Sequence, residues 1–311
     1  MKRIIVFALV AVLLAVTLCG CGFETSDVRT PSQGVPPVSE GPVDNGREPG
    51  DANQPSATEL TLHFLDVGQA DSILVALPNQ EIMLVDAGNN ADGSMVVEYI
   101  KGLGLSRIDY LVGTHPHEDH IGGLDDVIKA FEVGKVYMPR VTHTTRTYED
   151  VLLALKDRNL KVTPARAGLT VLDSPDLRIE FLAPVSSDYN DLNQYSAVVK
   201  IAYRNRSFLL TGDAGFESEQ EMMDSQVNLQ ADLLKVGHHG SRYSTSEEFL
   251  QAVEPEYAVI SCGEDNDYGH PHKETLTRLA VPGLRLFRTD LDGTVIVGCD
   301  GHDIKINSKQ S

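Results

Sequence analysis

The chain has 311 residues, 41% of them hydrophobic, enough for one large core or two modest ones, so most of its length is globular. Its formal net charge of −19 at pH 7 disfavours nonspecific binding of polyanions over the whole surface. It does not exclude a locally positive site made by bound metal ions.

Met1, Lys2 and Arg3 make a short basic start, and Ile4 to Leu18 is apolar apart from Thr17, which is the layout of a secretory signal. The run ends at Leu18-Cys19-Gly20-Cys21, which resembles the lipobox of bacterial lipoproteins. That resemblance implies that residues 1–21 are a lipoprotein signal and that Cys21 becomes the lipidated first residue after cleavage. An uncleaved anchor is the weaker reading, because the run is short of the roughly 20 apolar residues a helix needs to span a bilayer. Both readings place the protein outside the cytoplasm and tethered to the membrane. Residues 22–58 are rich in Pro, Gly, Ser and acids, cannot bury enough surface to offset the entropy of ordering, and read as a disordered linker.

From Glu59 onward strand-like and helix-like stretches alternate. ELTLHFLDV, DSILVAL and EIMLVDAG read as strands, SMVVEYIKGLG as an amphipathic helix, and RIDYLVGTH as a strand that delivers THPHEDH into a loop before the helix HIGGLDDVIKAF. KVYMPR, TYEDVLLALKDR, LRIEFLAP, SAVVKIAY and SFLLTGD follow, then the helix FESEQEMMDS, whose acids read as a solvated face. ADLLKVG, SEEFLQAV, EYAVISCG, KETLTRLAV, RLFRTD and GTVIVG close a single α/β domain over residues 59–311, with mixed sheets covered by helices. The glycines of GLGLSR mark a helix end rather than a dinucleotide loop. No second long apolar segment is present, which excludes a channel or transporter. Cys262 and Cys299 sit in strand-like surroundings that suit small core residues and a bridge equally well.

The loop Thr114–His120 crowds three histidines and two carboxylates into six residues. In an extended loop residues two apart point the same way, so His115 and His117 can grip one ion, while Asp119 and His120 point to a second position nearby. Imidazole and carboxylate together suit zinc, manganese or iron. Downstream, His238 and His239 are adjacent, and in an extended segment they face opposite ways, so only one can serve a given ion. His270 and His272 flank Pro271 ahead of a helix, where they either contact a leaving group or phosphate or position the helix. Ser241 in HHGS reads as shaping the loop or touching substrate.

The order H-x-H-x-D-H is that of the metallo-β-lactamase superfamily, which the chain resembles, and the resemblance implies an αβ/βα sandwich of two mixed sheets flanked by helices. It further implies that Asp86 in LVDAG supports a ligand imidazole, that Asp213 in LLTGDAG bridges two ions, and that His238 is the last histidine ligand. One histidine expected of the family is missing, for DLNQYSAVVKIAY offers only Asn193 or Ser196 in its place. HFLDVGQADSILV, LLTGDA, LLKVGHHGS, NDYGHPHKETLTRL and RTDLDGTVIV resemble, over Leu60 to Val297, the metallo-hydrolase domain of the competence protein ComEC and its free-standing relatives. These usually carry Gly where Ala70 stands.

Together these features point to a hydrolase with two divalent ions, zinc or manganese, held by His115, His117, Asp119, His120, Asp213 and His238. Such ions lower the pKa of a coordinated water and so supply hydroxide near neutral pH. Asp119 is then expected to orient the nucleophile and His270 to assist the leaving group, with Ser241 and His272 near the substrate. The resemblance implies a phosphodiester substrate, single-stranded DNA above all, although no basic or aromatic stripe of the kind strand binders use is present. Small esters or lactones are the alternative substrates, and a non-catalytic surface lipoprotein that binds metal is the alternative class. No protein partner is implied.

Overall fold

The computed structural model describes residues 59–308; the leader, Cys21 and the linker lie outside the described residues. The first six strands build one sheet in chain order: β1 (Leu60–Phe64), β2 (Ile73–Ala76), β3 (Ile82–Val85), β4 (Arg107–Val112), β5 (Glu132–Pro139) and β6 (Val162–Ala165). The next seven build a second: β7 (Thr170–Asp173), β8 (Leu177–Ala183), β9 (Val198–Tyr203), β10 (Arg206–Leu210), β11 (Leu233–Lys235), β12 (Tyr257–Ile260) and β13 (Arg285–Arg288). β14 (Val295–Cys299) and β15 (Ile304–Ser308) return to the first sheet beside β1. Each sheet is mixed: β3 to β6 and β10 to β13 run parallel, and the remaining pairs are antiparallel.

Alternation along each strand sorts side chains into layers. Val85 and Val112 of the first sheet share a core with Phe181, Ile201 and Phe208 of the second. Their neighbours Leu84 and Leu111 face outward onto Val96 and Ile100 of α1 (Gly93–Gly102), Val127 of α3 (Leu124–Ala130) and Val151 of α4 (Arg146–Asp157). Before α3 comes the single turn of α2 (Glu118–Ile121). On the far side Leu209, Leu234 and Ile260 meet Met222 of α5 (Phe216–Asp224), Phe249 of α6 (Glu247–Val253) and Leu279 of α7 (Lys273–Leu279). The last helix is α8 (Thr289–Asp292). Strands covered on both faces are continuous apolar runs, which is why β2 reads ILVA and β3 reads IMLV. This is the sandwich that the sequence implied.

Three strands escape the sequence reading: β6, β7 and β15. Each is an edge strand of its sheet, where one side lacks a partner and apolar alternation is not required. The helix read through HIGG is broken into α2 and α3 by Gly122 and Gly123. A Cβ on Gly122 would lie 2.2 Å from the Asn90 nitrogen, and one on Gly123 would lie 2.3 Å from the Ala87 carbonyl oxygen. The missing side chains let the loop after β3 close onto the turn after His120. GLGLSR does end a helix, with Gly104 at φ +76°. Among the described residues no helix is long and apolar enough to cross a membrane.

Candidate metal centre

The C-terminal ends of four parallel strands release the site residues. Asp86 follows β3, Thr114 to His120 follow β4, Asp213 follows β10, and His238 and His239 follow β11. Ligands of α/β sheets bind outside such carboxyl ends.

Asp213 is 2% exposed and lies at the middle of the group. Its Oδ1 is 3.2 Å from His120 Nε2 and 3.5 Å from His239 Nε2, and Asp119 Oδ2 completes this side at 3.3 Å from His239 Nε2. One donor atom from each of Asp119, His120, Asp213 and His239 falls within 4.8 Å of the others. Three of those atoms, His120 Nε2, His239 Nε2 and Asp213 Oδ1, are buried without a hydrogen-bond partner. Buried polar atoms in native proteins are nearly always satisfied, so three orphans aimed at one point fit a bound cation. The other oxygen, Oδ2, faces His238 Nε2 at 3.6 Å and His115 Nε2 at 3.9 Å, and His117 Nδ1 lies 3.0 Å from that same His115 nitrogen. The carboxylate thus offers one oxygen to each of two nitrogen-rich groups, and the group on the Oδ1 side fits a divalent cation.

Neighbouring groups fix which imidazole nitrogen faces inward. Asp86 accepts hydrogen bonds from the Thr114 amide and hydroxyl at 2.8 and 2.7 Å, and its Oδ2 holds His120 Nδ1 at 2.8 Å. His239 Nδ1 donates to the Ser261 carbonyl at 2.9 Å. Both bonds leave Nε2 free as the ligand atom. Ser196, in place of the missing histidine, sits 3.4 Å from His115 Nδ1 and accepts the Asp213 amide at 3.0 Å.

The electrostatics follow from burying opposite charges together. Burial raises the Asp86 carboxyl. Burial would raise Asp213 too, but His120, His239 and His238 hold it well below the usual carboxylate range. For His120 burial opposes charge, and the carboxylates of Asp213, Asp119 and Asp86 overcome it and push the imidazole well up. His239 is likewise raised, by Asp213 and Asp71 against burial, whereas His115 is lowered by burial and the nearby His120.

The sequence reading needs correction at His238 and His239. The segment is not extended: both residues are left-handed, at φ +49° and +51°, inside a short 3-10 turn, Gly237–Gly240. Both imidazoles therefore reach Asp213, one at each oxygen, and His239 rather than His238 joins the tight four-residue group. The acids of α5 are not all solvated either. Glu219 is 2% exposed, and its carboxylate accepts the Thr245 and Ser246 amides, anchoring the loop that follows the two histidines.

His270 is half-buried at the rim, its ring 5.5 Å from that of His238 and stacked on Tyr268. Ser241 is buried and held by its backbone, which donates to the His238 carbonyl and accepts from Thr275 Oγ1, so it has the loop-shaping place. His272 Nδ1 accepts the Arg242 amide at 3.1 Å and holds the same loop. Two residues went unnoticed in the sequence. Asp71 Oδ1 lies 3.6 Å from His239 Nδ1 and its Oδ2 3.8 Å from His120 Nδ1; Lys235, fully buried, approaches that Oδ2 to 2.5 Å. A lysine within the apolar run LLKV was the available signal.

The chain is 33% identical over 256 residues to ComE operon protein 3 of Bacillus subtilis (strain 168), covering 77% of this chain and 33% of that protein. It is 33% identical over 249 residues to competence protein ComA of Neisseria gonorrhoeae, covering 79% and 33%. It therefore spans about a third of the length of these relatives. A solved structure of a CmlA β-hydroxylase mutant shares the fold, with a TM-score of 0.51 at 16% identity over 78% of this chain and 54% of that one. Residues 65–264 match the profile of the metallo-β-lactamase superfamily, and with the two-sheet sandwich in place the chain belongs to that superfamily.

Proposed function

We propose that the protein is a phosphodiesterase dependent on two divalent ions, zinc or manganese, that it cleaves single-stranded nucleic acid, and that lipid on Cys21 tethers it outside the cytoplasm. The observation that carries the reading is the trio of buried, unpartnered atoms around Asp213. The competence proteins among its relatives favour a nucleic acid over a small ester.

His115, His117, His238 and Asp213 Oδ2 would hold one ion; Asp119, His120, His239 and Asp213 Oδ1 would hold the other. Bound there, such ions supply Lewis acidity toward a phosphoryl oxygen and an activated water. The chain's own groups set the frame. Asp86 and the Ser261 carbonyl hold two imidazoles in the ligand tautomer. At the rim, the Gly263 amide donates to Gln69 Oε1, which turns the Gln69 Nε2 donor toward His270 Nδ1 at 3.3 Å. His270 therefore carries its proton on Nε2. Burial and the neighbouring histidines lower it to about 4, so at neutral pH it is an uncharged N–H donor able to bind a phosphoryl or leaving-group oxygen.

The test is cleavage of end-labelled single-stranded DNA with manganese or zinc added, against Asp213→Ala. Metal-dependent cleavage lost in the variant supports the reading; equal inertness of both proteins refutes it and turns attention to small esters.

A further inference from the structure

Twelve arginines lie in the described segment, and the side chains of ten of them hold an ion pair or a hydrogen bond. The two whose side chains have neither among the described residues are Arg140 and Arg166, both exposed. They line the same cavity, of about 290 Å³, with Ser186, Ser187 and Tyr195, and no acidic residue lines it. In a chain of net charge −19, a cavity lined by two arginines with unpaired side chains and by no acidic residue is a local inversion of the surface.

Its position follows from the sheet. β4, β5 and β6 are adjacent parallel strands, and Pro139 pairs with Ala165 in register. Their carboxyl ends carry, in order, the metal loop, Arg140 and Arg166. Two contacts join the cavity to the metal centre. The loop after Arg140 brings the His143 ring to 6.2 Å from that of His117, and Tyr195 precedes Ser196, whose hydroxyl touches His115.

We infer that this cavity is a phosphate subsite, in which Arg140 and Arg166 grip a backbone phosphate of a strand whose neighbouring phosphodiester lies at the metal centre. The inference rests on the phosphodiesterase reading above. Guanidinium forks match phosphate oxygens in paired hydrogen bonds. Two contacts confined to one cavity also reconcile strand binding with an acidic surface that has no basic stripe.

The test is steady-state cleavage of a labelled oligothymidylate by the full, manganese-loaded chain across a salt series, in wild type, R140Q/R166Q and R140K/R166K. Each phosphate contact on a single strand contributes about 0.7 to the slope of log affinity against log salt. For the glutamine pair the slope should fall by about 1.4, with KM up roughly tenfold or more at low salt. The lysine pair, which keeps the charge and loses the fork, should restore the slope and only part of the KM. Unchanged slope and KM in R140Q/R166Q would overturn the subsite and leave the nuclease standing, whereas wild type that leaves the oligonucleotide intact would remove both. A defect confined to binding of phosphatidylglycerol vesicles would overturn it in favour of a lipid headgroup.

Discussion

Replacing Lys235 with Met keeps the length of the side chain and removes its charge from the interior. The ammonium is fully buried, 2.5 Å from Asp71 Oδ2 and 3.4 Å from the Gly212 carbonyl. Without it Asp71 keeps only the more distant imidazoles, His239 Nδ1 at 3.6 Å and His120 Nδ1 at 3.8 Å, and its Oδ1 makes no hydrogen bond. Breaking a buried pair from one side typically costs about 3–5 kcal/mol, because a charge is left without compensation. For a domain of this size each kcal/mol moves Tm by about 2–4 °C, which gives a fall of roughly 6–20 °C. The assay is thermal unfolding by circular dichroism on protein freed of metal with a chelator, since bound ions add their own stabilisation. Replacing both partners, Lys235→Met with Asp71→Leu, removes the stranded charge and should recover at least half of the loss. A Tm within about 3 °C of wild type for Lys235→Met, or a double variant as unstable as the two losses added, would refute the reasoning.

His238 and His239 face different oxygens of Asp213, so His238→Ala and His239→Ala should each lower the bound metal from two ions to one per chain, counted by mass spectrometry after dialysis; a single variant that loses neither ion disproves the split. In the metal-free protein His120 and His239 are raised by their carboxylates, so the stability they confer is full below their usual pKa of about 6.5 and is lost as pH rises through the raised values. The denaturation midpoint of metal-free protein should therefore fall on alkalinisation, and added metal should reverse the trend because it takes deprotonated imidazole. Cys262 and Cys299 are free and buried, and burial followed by Asp290 pushes Cys262 up to about 12, so at pH 8 both should resist thiol reagents in the native protein and react on unfolding; fast native-state labelling of either, located by peptide mass apart from Cys19 and Cys21, would contradict the burial.

The legible parts of this chain were those in which one short segment carries the information. Continuous apolar runs such as IMLV and YAVI marked the central strands, because burial on both faces demands them. The edge strands could not be read: VTPA exposes three of its four residues and holds a proline, as a strand without a second partner is free to do. The metal loop was legible because His115 to His120 sit within one turn of chain. Asp71 and Lys235 were not, since their contact joins the loop before β2 to the end of β11, far apart in sequence. Glu219 was misread because the acids of α5 were read as one face: Glu217, Glu221 and Asp224 do share a face, but Glu219 stands three residues before the buried Met222 and turns inward under the loop packed on it.

The paired histidines show why local pattern failed at the centre itself. An extended GHHG would send one imidazole away from the site, which is what period-two reasoning gives. Two successive non-glycine residues in the left-handed region cost on the order of 1–3 kcal/mol each, so such a turn persists only where the surroundings over-determine it. Here they do. Gly237 donates to Thr245 Oγ1, Ser241 donates to the His238 carbonyl, and Glu219 pins Thr245 and Ser246 behind the turn. The strain delivers two imidazoles from consecutive positions to opposite oxygens of one carboxylate. A chain with no histidine at DLNQYS thus regains a nitrogen on the His115 side of Asp213 from a segment some forty residues downstream.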